Sequence, residues 1–99
     1  SLLNHFNIDI AFCSARGIDE FNVYEVSLSQ AVSKKRIIDK TKETILLIDS
    51  SKFEVTGFFK INDLKKYRAI ISDKFPKQEI LTATELLDVE WISGEEEYI

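Results

Sequence analysis

Four polar side chains of complementary kinds stand in a row at Asp49, Ser50, Ser51 and Lys52, directly after the apolar run Ile45, Leu46, Leu47, Ile48. Such a run suits a strand covered on both faces of a parallel sheet. In open α/β sheets the carboxyl ends of the strands are where ligands sit. Lys52 is therefore well placed to meet an anion, with Asp49 and Ser51 beside it. The alternative for Lys52 is an ion pair with Asp49 or a helix-end contact. A second group, Ser14, Arg16, Gly17, Asp19 and Glu20, follows the apolar stretch 8–12. The guanidinium fork of Arg16 suits a phosphate or carboxylate; its alternative is a surface pair with Asp19 or Glu20. Gly17 is expected to take a positive φ in a turn. Lys34 lies on the same side of a helix as Gln30, one turn earlier. Ser72 and Asp73 end a third apolar stretch, where Asp73 can equally serve as a turn or cap residue.

These groups need elements to hold them, and the chain supplies an alternation. Residues 8–12, 45–48, 57–61, 69–71 and 89–92 read as strands, the last carrying Trp91. Ser27-Leu28-Ser29-Gln30 matches a capping box that opens a helix, with Leu28, Ala31, Val32 and Ile38 as its buried stripe. Asn62 or Asp63 caps a brief helix through Tyr67. Pro76 suits a first helical position, with Ile80, Leu81, Thr84 and Leu87 on the inner face. The segment 13–26 reads as a long, polar, irregular connection. Strands alternating with helices imply βαβ crossovers and a mainly parallel sheet flanked by helices, in a Rossmann-like three-layer α/β arrangement. Three strand exits then share one rim. Residues 1–6, with Leu2, Leu3, His5 and Phe6, read as the end of a truncated helix. Residues 7–93 form the α/β fragment of a larger domain, and 94–99 an acidic, solvated tail.

Composition narrows the function classes. The chain has 99 residues, 44% of them hydrophobic, which allows one domain with a modest core. A formal net charge of −4 is the wrong sign for gripping nucleic-acid phosphates directly. One cysteine excludes an internal disulfide and fits a reducing compartment. Cys13 reads as a small buried side chain, with no histidine placed to activate it. One His and one Cys give metal binding little support, and neither a metal nor a cofactor is expected. No run approaches a membrane span and the first residues lack a signal-peptide layout, so a soluble, cytoplasmic domain is expected.

The order Asp9-Ile10-Ala11-Phe12, Ala15-Arg16-Gly17-Ile18-Asp19, Ala31 with Lys34, Leu46-Leu47-Ile48-Asp49-Ser50-Ser51-Lys52-Phe53 and Ile70-Ile71-Ser72-Asp73 resembles the carboxyl-terminal effector domain of DeoR-family transcriptional regulators. The resemblance implies a bacterial repressor of carbohydrate metabolism whose amino-terminal winged helix-turn-helix, expected before Ser1, binds operator DNA. It also implies an effector domain similar to ribose-5-phosphate isomerase and the CoA transferases, sensing a phosphorylated sugar. The family's oligomeric habit makes a homo-oligomer the expected assembly. Ligand contacts would fall to Lys52, Asp49, Ser51, Arg16, Gly17, Asp19 and Lys34. The family's G-A-D-G-I-D stands here as Ser14-Ala15-Arg16-Gly17-Ile18-Asp19, and its E-A-x-x-K as Gln30-Ala31-Val32-Ser33-Lys34. Both changes lose a carboxylate, which would either alter which sugar fits or weaken sensing.

Isomerising a sugar phosphate needs a base within reach of the carbon acid. Gln30 and Lys34 cannot serve at pH 7, and Glu25 lies before the helix cap. The expected role is binding without turnover. A pure oligomerisation module and an isomerase-like enzyme fragment are the alternatives.

Overall fold

The computed structural model describes residues 7–57 and 59–95. Its elements are β1 (Ile8–Cys13), β2 (Gly17–Ile18), β3 (Asn22–Glu25), α1 (Leu28–Asp39), β4 (Thr41–Leu47), β5 (Phe59–Asp63), β6 (Ala69–Ser72), α2 (Gln78–Leu86) and β7 (Glu90–Ser93). Strands β1, β4, β6 and β7 form one sheet in that order, with every neighbouring pair parallel. The class is thus α/β with a mainly parallel sheet. The apolar run anchors its middle: β4 lies between β1 and β6, with Ile45, Leu46 and Ile48 buried.

The strand order advances in one direction only. Right-handed crossovers that all step the same way place their connections on a single face. Packing agrees, since Leu46, Ile70 and Trp91 share one register row. They join Ala31 and Ile38 of α1 and Ile80 of α2 in one core. The other face carries Phe12, Leu47 and Ile92, which are 59, 42 and 37% exposed. Among the described residues no helix covers that face, so two layers rather than three are seen.

The segment expected to be irregular, 13–26, instead forms β2 and β3. Together with β5 they make a second, antiparallel sheet of three strands. The cause is local: Ile18 and Val23, paired across the turn, are completely buried. Two short strands with so few apolar residues leave little periodic signal. The strand expected at 57–61 falls at Phe59–Asp63 and joins this sheet, not the parallel one.

Ser27 caps α1 as expected, its Oγ accepting from the Gln30 N–H at 3.4 Å. Only Ala31 and Ile38 are buried on α1, whereas Leu28 and Val32 are exposed. The inward line is 31, 34, 38, because α1 packs against β3 and β5 as well as β4, and Lys34 sits in its middle. Helix α2 begins at Gln78, with Pro76 two residues ahead, and buries Ile80 and Thr84 while Leu87 stays exposed. Glu95, in the expected solvated tail, accepts a hydrogen bond from the Phe75 N–H at 2.8 Å. Leu2, Leu3, His5 and Phe6, and the remainder of the tail at 96–99, lie outside the described residues.

Candidate functional site at the carboxyl rim of the sheet

Parallel pairing puts the exits of β1, β4 and β6 at one end of the sheet. Two further contacts draw the first two exits together. Ile18 bridges to Phe53 in parallel. Gly17 packs so tightly that a Cβ there would stand 1.7 Å from the Val55 carbonyl oxygen. Its φ is not positive, so the glycine serves close backbone approach, not the left-handed turn that the sequence suggested. Arg16, Gly17 and Ile18 therefore run beside Lys52, Phe53 and Val55.

The exit of β4 is a single 3-10 turn, Ser50–Lys52. Asp49 caps it, its Oδ1 accepting from the Ser51 N–H at 2.9 Å and from the Ser51 hydroxyl. That hydroxyl, then the N–H and the nearby Lys52 charge, hold the Asp49 carboxyl below its usual range, against opposition from Asp73. Asp73, at the exit of β6, accepts from the Ser50 N–H at 2.7 Å and from the Ser50 hydroxyl at 2.9 Å. These bonds lower its carboxyl too, the hydroxyl contributing most. Beneath the turn, the Phe53 ring meets Trp91 edge-on with centroids 5.5 Å apart. The Trp91 indole N–H in turn donates to Ser72 Oγ at 2.8 Å. The turn that carries Lys52 is thus pinned from both ends and from below.

Asp19 closes the reversal between β2 and β3. Its Oδ1 accepts from the Phe21 and Asn22 N–H groups, each at 2.8 Å, and its Oδ2 from the Tyr24 hydroxyl at 2.8 Å. Burial pushes its carboxyl up, but these bonds outweigh that and leave it lowered. Arg16 is exposed and anchored by its backbone, the N–H donating to Tyr24 O at 3.0 Å. Neither Arg16 nor Lys52 has an ion-pair partner among the described residues. The pairs that the sequence allowed, Arg16 with Asp19 or Glu20 and Lys52 with Asp49, are not formed there.

Lys34 is placed differently. Its ammonium donates to Glu25 Oε2 at 2.5 Å and to the Ser14 carbonyl at 2.6 Å. Glu25 is only 2% exposed, and its identity as the buried partner was not legible because β3 itself was not. Cys13 is half-buried, and burial raises its thiol. Burial, and then the neighbouring Cys13, raises the phenol of Tyr67 against a smaller lowering from Asn62.

A hollow of about 220 Å³ beside the rim is lined by Asp19, Glu20, Glu54, Lys77 and Ile80. Lys77 closes it, its ammonium 2.6 Å from Glu54 Oε1, so it offers no spare cation. A larger hollow of about 420 Å³, lined by Arg68, Glu85, Asp88, Val89 and Glu90, lies at the amino ends of β6 and β7, away from the rim. No cluster of metal-ligating side chains occurs among the described residues, and no described helix is long and apolar enough to cross a membrane.

Comparison with known proteins adds a family. Residues 1–74 match the model of the DeoR C-terminal sensor domain. The chain is 36% identical over 74 residues to the L-fucose operon activator of Haemophilus influenzae, covering 74% of this chain and 30% of that protein. It is 25% identical over 95 residues to the HTH-type transcriptional repressor GlcR of Bacillus subtilis, covering 96% and 37%. It is 35% identical over 72 residues to the HTH-type transcriptional regulator YulB of the same organism, covering 72% and 28%. The chain spans about a third of the length of these curated relatives.

Proposed function

The chain belongs to the DeoR C-terminal sensor domain family, and on that premise we propose that it binds a phosphorylated sugar at the carboxyl rim and thereby biases operator binding by a helix-turn-helix elsewhere in the same regulator. The observation that carries this reading is the pair of unspent cations. Arg16 and Lys52 stand at the exits of adjacent strands without a carboxylate partner among the described residues, while Asp19, Asp49 and Asp73 are all engaged. The phosphate would lie between the two cations. Sugar hydroxyls would meet Asp49, Ser51, Asp19 and the backbone at Gly17. Each charge-assisted contact is worth roughly 1.5–3 kcal/mol. Only the difference between DNA-competent and released states moves the equilibrium.

We read the output as repression, the setting as the cytoplasm, and the event as binding without turnover. One matched relative is named an activator and another a repressor, so the sign of the response is a separate measurement, by operator binding with and without sugar phosphate. The test of the main reading is a thermal-shift screen of the whole protein against phosphorylated five- and six-carbon sugars. A ligand present at a hundred times its dissociation constant stabilises by about 2.7 kcal/mol, and each kcal/mol shifts the Tm by roughly 2–4 °C in a protein of about 150–250 residues. A protein that binds DNA but shifts with no sugar phosphate refutes the reading.

A second reading is favoured by the apolar sheet face at Phe12, Leu47 and Ile92. Parallel sheets are ordinarily covered on both faces, and this one supports an assembly role with homo-oligomers formed through it. Sedimentation over a range of concentrations tests it, a strict monomer counting against it.

A further inference from the structure

We propose that Glu25 and Lys34 are positioning residues, which fix the loop that presents Arg16 and do not themselves touch the ligand. The Lys34 ammonium divides its contacts between Glu25 Oε2 at 2.5 Å and the Ser14 carbonyl at 2.6 Å. Its charge faces a carboxylate that is almost wholly buried, so little of it reaches the rim. Glu25 cannot easily follow a displaced lysine. It ends β3, its Oε1 accepts from the Val26 N–H at 3.2 Å, and a Cβ on Gly57 would come within 2.7 Å of its carbonyl oxygen. The carboxylate is a fixed post to which the lysine is tied.

The other end of that tie is the exit of β1. Ser14 is held by Lys34, Ala15 is buried, and the Arg16 N–H donates to Tyr24 O at 3.0 Å. The three residues between β1 and β2 are thus held on both sides, while the Arg16 side chain is left to solvent. A guanidinium discriminates ligands by geometry when its backbone does not wander, because its donors form a rigid fork. Lys52 shows the contrast: it has no ion-pair partner among the described residues. The two lysines that sequence alone would both assign to the ligand therefore have different duties, one anchoring and one contacting.

The Arg16 part of this inference rests on the sensor reading, whereas the anchoring of the loop does not, and the experiment separates them. Backbone amide exchange is followed by NMR in the whole protein without ligand, and inorganic phosphate is titrated as the anion probe. The double variant Glu25→Gln/Lys34→Met removes both charges together and leaves no lone buried ion. The Arg16 amide is expected to exchange about tenfold faster, while the Ile70 amide of β6 is unchanged. Phosphate affinity falls in parallel. Lys52→Ala lowers phosphate affinity and leaves Arg16 exchange as in the wild type. Should the double variant not fold, Glu25→Asp keeps both charges, draws the carboxylate back and moves Arg16 exchange the same way. Unchanged Arg16 exchange overturns the proposal, and with lost phosphate affinity it makes Lys34 a direct contact. A wild type that binds no phosphate sinks the rim as an anion site, and the exchange rates then decide the anchoring alone.

Discussion

Replacing Lys52 by alanine separates the ligand from the fold more cleanly than any other change at the rim. The ammonium has no ion-pair partner among the described residues, so its removal leaves no carboxylate stranded. The turn around it is held by other groups: Asp49 on Ser51, Asp73 on Ser50, and Phe53 on Trp91. Lys52 is half-buried, and a change there that strands no polar partner should cost about 1 kcal/mol or less of stability. The ligand should feel far more. Loss of one charge-assisted contact of roughly 1.5–3 kcal/mol weakens binding about 10- to 150-fold. Trp91 provides the assay, being the chain's single tryptophan and in contact with the residue after Lys52. Its fluorescence, titrated with the sugar phosphate chosen by the thermal screen, gives affinity, and urea melts on the same signal give stability. An affinity unchanged within twofold while the fold is intact refutes the assignment of Lys52. A fall in stability matching the fall in affinity shows instead that the lysine holds the turn.

Gly17→Ala tests how closely β2 lies against the segment after Lys52. A Cβ at 1.7 Å from backbone oxygen forces the chains apart, and overpacking of this kind costs roughly 1–3 kcal/mol, measurable as a lower Tm. Trp91→Phe strips Ser72 of its indole donor, with an expected loss of about 1–3 kcal/mol by chemical denaturation. Acid stability is the third measurement. Asp19, Asp49 and Asp73 are all lowered in the fold, so each favours the folded state above its unfolded value of about 3.9 and loses that contribution as pH falls through the folded value. Stability should therefore decline below about pH 4, and less steeply in Asp73→Asn; equal slopes would show that the Ser50 contacts do not persist in solution.

The parts of this fold that sequence made legible are those with strong, regular patterns. Ile45 to Ile48 announced a central strand because so continuous an apolar run suits a parallel sheet, although Leu47 lies on the face that no described helix covers. Ser27 announced α1 because an orphan N–H needs a hydroxyl. The rim followed from topology, since parallel strands must exit together. What stayed hidden was set by single tertiary contacts. Two residues in β2 and four in β3 carry no usable periodicity, so the antiparallel sheet was invisible and Glu25 passed for a loop carboxylate. Gly17 looked like a turn residue because a glycine's need for closeness and its need for a positive φ leave the same letter. Val32 and Leu28 fit a helical stripe, yet the inward line runs through Lys34, and only the partner across the gap explains a lysine there.

The state of the rim carboxylates bears on whether the site turns its ligand over. A general base works best when its pKa lies near the operating pH, which for a carboxylate means being raised. Asp19, Asp49 and Asp73 are displaced the other way, each by hydrogen bonds that stabilise the charged form. Glu25 is buried with its Oε2 on the Lys34 ammonium at 2.5 Å, so that oxygen is already occupied by a partner within the fold. Groups arranged in this manner are good acceptors for hydroxyls and poor abstractors of carbon-bound protons. The same arrangement leaves Arg16 and Lys52 at the exits of β1 and β4 without a direct ion-pair partner among the described residues, as the proposed phosphate site requires. Under the proposed mechanism, binding free energy gathered there without a reaction would be free to act on the rest of the regulator. The proposed mechanism therefore predicts saturable binding of the sugar phosphate with no release or exchange of its carbon-bound protons in deuterated water, and measurable exchange at enzymatic rates would overturn it.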